Sequence, residues 1–175
     1  MTWEGLLGTQ MADQADVPRR LFLLVTGARA LALYPEAKSW ACRLLEERIR
    51  ALPPGSFVGH GASPDDCPDW WADGIALECG HRVLRWYATG KRTDSQGPDI
   101  LWRKVLIERP RAHHFLERNR HMAQVLADYQ RADRGDVLVL GLMHRKSSTH
   151  GTAHTLSVAR SLGLETEWRR YPEEI

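Results

Sequence analysis

Leu21-Phe22-Leu23-Leu24-Val25-Thr26-Gly27-Ala28-Arg29 is the stretch that decides the fold. Its five leading apolar residues leave no polar face, the pattern of a central strand buried on both sides of a parallel sheet. The run then delivers a hydroxyl, a glycine and a permanent cation where the chain must turn, which is how a phosphate or nucleotide site begins. The spacing of a Gly-x-Gly-x-x-Gly fingerprint, or of a Walker loop with its lysine, is missing, so neither motif is assigned.

Outward from this strand, strands and helices alternate. Pro35 and Glu36 open a helix, proline being tolerated in the first turn and the carboxylate complementing the dipole. Trp40, Ala41, Leu44, Leu45, Ile49 and Leu52 recur at helical spacing until Pro53-Pro54-Gly55 stops them. The sequence next predicts a short strand over residues 56–59, a helix over 68–79 ended by Gly80, and a strand over 81–87. Residues 88–98 read as a surface loop, and residues 99–109 allow either a strand or a short helix. A helix over 112–132 follows, then a buried strand over 137–140, a helix over 152–162 capped by Gly163, and a last strand over 164–168. This order predicts an α/β fold, a Rossmann-like three-layer sandwich with a mainly parallel central sheet and right-handed crossovers. Ligands of such sheets bind at the carboxyl ends of the strands. Residues 1–19 show neither period and read as a flexible leader before a single domain over residues 20–175.

The composition is ordinary for one compact domain: 175 residues, 43% hydrophobic, 26% charged. A net charge of +2 gives no field strong enough to argue nucleic-acid binding. No apolar stretch approaches the roughly 20 residues of a membrane span, and the first residues lack the basic end and apolar core of a signal peptide. A soluble, cytoplasmic protein with no membrane partner is expected. Cys42, Cys67 and Cys79 are odd in number and widely spaced, so reduced thiols are the default.

Three further segments carry chemistry. Gly59-His60-Gly61-Ala62 ends the second strand, and a loop rich in aspartate leads on to Asp69. In the helix over 112–132, Phe115, Met122, Leu126 and Tyr129 form the apolar stripe, yet Asn119 beside Arg118 falls on it. An inward amide is costly unless satisfied, so Asn119 must bond a loop or a ligand. His150-Gly151-Thr152 precedes a helix, where free N–H groups and the positive dipole end hold anions, with Thr152 as a cap or phosphate contact. Ser147, Ser148 and Thr149 add donors before it, and Arg145 and Lys146 add charge.

In their order, Val25-Thr26-Gly27-Ala28-Arg29, Gly59-His60-Gly61-Ala62 with Asp69, Arg118-Asn119-x-x-Met122 and Gly151-Thr152 resemble the SLOG superfamily, nearest its YspA branch, related to the YpsA proteins. The resemblance covers residues 20–171. It implies a Rossmann-like fold and one pocket for a nucleotide or nucleotide-derived ligand, formed by Thr26, Gly27, Ala28, Arg29, Gly61, Ala62, Asp69, Arg118, Asn119, His150, Gly151 and Thr152. In that pocket Thr152 and Arg118 would hold phosphate and Asp69 a ribose hydroxyl. The chain departs from the pattern where Ala28 replaces the usual serine and where residues 63–68 lengthen the loop before Asp69. The superfamily's Lonely Guy phosphoribohydrolases carry a catalytic glutamate three residues beyond their Gly-Thr turn, where this chain has Thr155. A nucleotide sensor or carrier is therefore the first expectation. A hydrolase using Asp65, Asp66, Asp69 or Asp73 is the second, and single-strand DNA binding like that of DprA proteins is a third, disfavoured by charge. The superfamily's habit implies a homodimer or higher homo-oligomer.

The remaining candidates are weaker. His150 and His154 lie four apart, but no paired metal-ligand signature is present, and no metal is expected. His60 and His150 suit neutral hydrogen bonds to a base or phosphate. Cys67 has no adjacent base. Trp70-Trp71 next to Asp69 offers a ring to stack over the pocket mouth, or else packs in the core and a subunit contact.

Overall fold

The computed structural model describes residues 19–146 and 150–172. The leader expected over residues 1–19 and the donors Ser147, Ser148 and Thr149 lie outside the described residues, Arg19 excepted.

The elements run β1 (Leu21–Gly27), a 3-10 turn (Arg29–Leu33), α1 (Pro35–Arg50), β2 (Phe57–His60), α2 (Pro68–Glu78) and β3 (Arg82–Trp86). They continue with β4 (Lys91–Asp94), β5 (Ile100–Leu101), α3 (Ala112–Arg131), β6 (Asp136–His144), α4 (His150–Ser161) and β7 (Glu165–Tyr171). The chain is an α/β protein whose seven-stranded mixed sheet has the order β5-β4-β3-β2-β1-β6-β7. Pairing is parallel from β3 through β2, β1 and β6 to β7, and antiparallel for β3 with β4 and β4 with β5.

The apolar run of β1 is continuous because helices cover both faces. Leu23 and Val25 point into a core with Ala41, Leu45 and Ile49 of α1 and Ala72 and Ala76 of α2. Phe22 and Leu24, offset by one residue, point into a second core with Met122 and Leu126 of α3 and Leu156 and Ala159 of α4. Gly80 and Gly163 stop α2 and α4 at φ of +75° and +79°, a backbone region that a side chain disfavours.

One expectation is corrected. Residues 88–98 are not a loop, because β4 lies within them, and β5 is a two-residue strand inside the ambiguous segment. The residues of β4 are all half-buried and polar, so no apolar alternation marks it. Near a sheet edge the backbone ladder alone suffices. The last strand also runs on to Tyr171, beyond the apolar residues that signalled it.

The fold places the site through its connections. The chain moves from β1 outward to β2 and β3, then returns to lay β6 on the other side of β1. At such a switch point, connections leave the carboxyl ends of β1 and β6 in opposite directions and open a crevice.

Candidate functional site

A cavity of about 390 Å³ occupies that crevice. Thr26, Gly27, Ala28 and Arg29 reach it from the end of β1, and Asp69 from the first turn of α2. Arg118 and Asn119 reach it from α3, and Gly151 and Thr152 from the first turn of α4. The structure thus brings together residues from four separate segments. Gly61, Ala62 and His150 are not in the lining: the first two stand behind the wall, and His150 is exposed as the first residue of α4. Ala112, Phe115, Leu116, Ser63 and Pro64 also line the cavity, and no motif in the sequence marks them as site residues. The stripe marks Phe115 as core, because a wall facing a cavity and one facing a core share the same helical period.

Arg118 is the centre of the geometry. Its side chain is buried, the residue retaining 8% exposure. Nε and Nη2 donate to Asn119 Oδ1 at 3.1 and 2.8 Å, and Nη1 donates to the Gly61 carbonyl. Asn119 Nδ2 donates at 3.3 Å to the Gly151 carbonyl in the first turn of α4, so the inward amide is satisfied by a helix and not by a loop. Among the described residues no carboxylate lies within ion-pair distance of Arg118. Burial pulls the guanidinium below its ordinary pKa, with Asp69 and Cys67 opposing from farther away. A buried cation held only by neutral acceptors is costly, and an anion in the cavity removes that cost.

The glycines divide into two kinds. A Cβ on Gly27 would lie 2.3 Å from Pro68 Cγ, so this glycine admits the proline that starts α2. A Cβ on Gly61 would lie 2.6 Å from Arg118 Cζ. A Cβ on Gly151 would meet nothing within 4 Å. Gly27→Ala is therefore expected to cost about 2 kcal/mol through overpacking. Gly151→Ala, in open space in the first turn of α4, should leave the melting temperature unchanged or slightly raised. Differential scanning calorimetry of the two variants separates these outcomes.

Thr152 is not the cap expected of it. The helix begins at His150, which puts Thr152 inside the first turn, buried at 4% exposure. Thr155 is fully buried and donates its hydroxyl to the Gly151 carbonyl at 3.0 Å. It is a packing residue of α4, outside the cavity lining.

His60 is also corrected. It is fully buried, and its Nδ1 accepts the Ala62 N–H at 3.0 Å. The proton therefore sits on Nε2, which donates to Asp73 Oδ2 at 2.8 Å. Asp73 also accepts Nε and Nη2 of Arg85, at 2.5 and 3.1 Å. Burial works against the Asp73 carboxylate, but these bonds outweigh it and hold its pKa at about 2. The network fixes Ala62 in a left-handed conformation, φ +42°, beside the Gly61 carbonyl that receives Arg118. Its partners are 12 and 13 residues apart and leave no periodic trace in the sequence.

Of the acidic loop candidates, Asp65 pairs with Arg29 and Asp66 with Lys38, and Asp73 belongs to the buried network. Only Asp69 of the four lines the cavity, where Oδ2 accepts the Ser63 N–H at 3.4 Å. The two tryptophans do not cap the mouth. Trp70 Nε1 donates to the Ser63 carbonyl and Trp71 Nε1 to Asp66 Oδ1, both at 2.6 Å, so both rings pin the loop. Burial pushes the Cys67 thiol up to about 12, which leaves it without a thiolate at neutral pH. Among the described residues no cluster of three His, Cys, Asp or Glu could hold a metal, and no helix is long and apolar enough to cross a membrane.

No protein-family model, curated protein or solved structure matches this chain.

Proposed function

We propose that this chain binds a nucleotide or nucleotide-derived ligand in the crevice between β1 and β6, as a sensor or carrier on a Rossmann-like fold of the SLOG type. The observation that carries the reading is Arg118, a buried guanidinium with no carboxylate partner among the described residues, in a cavity that also receives the first turn of α4. That turn supplies backbone N–H groups and the positive end of a dipole, and the pair makes a phosphate site. Phe115, Leu116 and Ala112 give an apolar wall against which a base or sugar packs.

A second reading, a nucleotide hydrolase, rests on Asp69, whose carboxylate reaches the cavity and is the only acid there among the described residues. Thr155, at the position of the Lonely Guy glutamate, is committed to the helix backbone. Binding without bond cleavage is therefore the first reading.

Thermal-shift titration with a panel of nucleotides, followed by chromatography of the recovered ligand, tests both readings. A stabilising nucleotide recovered intact supports a sensor or carrier. Recovery as base and sugar phosphate makes the protein a hydrolase, with loss of that cleavage in Asp69→Asn assigning the acid, and absence of any shift refutes nucleotide binding.

A further inference from the structure

The cavity has a neighbour. A groove of about 670 Å³ shares Ala28 and Arg29 with it and continues along the 3-10 turn over Ala30, Ala32 and Leu33, its lining completed by Lys146 and by Asp65 and Asp66, which pair with Arg29 and Lys38. At the border of the two stands the Arg29–Asp65 ion pair, Nη1 to Oδ2 at 2.6 Å, with side chains 69% and 49% exposed. Pairs this exposed contribute little and exchange readily with another anion. A phosphate offers Arg29 two oxygens for a bidentate contact where Asp65 makes a single bond, so a phosphate reaching Arg29 displaces Asp65 and joins the two hollows.

Cations and apolar surface are both duplicated across the border. Arg118 serves the inner cavity, Arg29 the border and Lys146 the outer rim. Phe115 walls the inner cavity, while the groove has three alanines and Leu33, which is 75% exposed. A ligand with one phosphate and one ring system fills the inner half alone. Resting on the nucleotide reading above, we propose that the site takes a two-part ligand of the dinucleoside-pyrophosphate class. One nucleoside lies in the inner cavity and the second along the alanine floor of the groove, with the bridging phosphates held between Arg118 and Arg29.

Isothermal titration of the full chain with AMP and with diadenosine pyrophosphate tests this. The pyrophosphate is expected to bind at least about tenfold more tightly than AMP, the gain of one charge-assisted phosphate contact. Ala30→Trp fills the groove and should erase that gain while leaving AMP binding unchanged. Leu33→Glu should act in the same direction at a position exposed enough to spare the fold. Asp65→Asn frees Arg29 and should raise the affinity for the pyrophosphate further. Equal affinities in the wild type, or a gain that survives both groove variants, overturns the two-part ligand and leaves the nucleotide reading standing. Failure of both probes to bind overturns the nucleotide reading and this proposal with it.

Discussion

Arg118→Met is expected to weaken nucleotide binding about 100-fold while costing the fold little. The two effects come from one physical situation. In the free protein the guanidinium is buried, bonds only Asn119 Oδ1 and the Gly61 carbonyl, and has no carboxylate to offset its desolvation among the described residues. Methionine removes the desolvation cost of the buried charge and fills most of the same volume, which offsets much of the loss of the bonds to Asn119 Oδ1 and the Gly61 carbonyl. A bound phosphate, by contrast, would lose a buried cation, which costs about 100-fold in affinity. Titration calorimetry and thermal unfolding of the same variant read the two effects separately. A structural arginine would show the reverse pattern, lost stability with binding retained in whatever remains folded.

The second large effect is on stability. Asp73→Ala strands a fully buried imidazole and a partly buried guanidinium at once, since both donate to this carboxylate. Removing one partner of a buried charged network costs about 4 kcal/mol, which lowers the melting temperature by about 10 °C in a domain of this size. The effect also depends on pH. The Asp73 carboxyl is held at about 2 against an ordinary 3.8, so the native state favours the ionised form. Its contribution is fully present above 3.8 and is lost as pH falls through about 2. The gap in stability between wild type and Asp73→Ala should therefore be constant near neutrality and close across that acid window. Urea denaturation at stepped pH measures it, and a gap that stays constant down to the lowest pH would exclude the ionised carboxylate as its source.

Much of the site was legible because its residues sit where a periodic element stops. Thr26 and Gly27 end an apolar run, Gly151 and Thr152 open a helix, and Asn119 breaks an apolar stripe. Each is a local irregularity, visible without knowing what lies opposite. The polar strand β4, the wall residue Phe115 and the His60 network carry no such mark. A half-buried polar edge strand has the composition of a loop, and a buried histidine is indistinguishable in sequence from a ligand-facing one.

The sequence by itself determined the alternation of strands and helices and the burial of β1 and β6 on both faces, and it determined which segments end at the crevice. Hydrophobic periodicity and turn chemistry are properties of neighbouring residues, so they survive without a fold. Tertiary structure alone decided how each polar group is satisfied. Gly27 accommodates Pro68, Gly61 accommodates Arg118 across 57 residues of chain, His60 turns inward to Asp73, and Arg118 faces the cavity with no carboxylate partner among the described residues. Those pairings depend on which distant segments the sheet order brings into contact, and the free energy of a buried polar group is set by that partner.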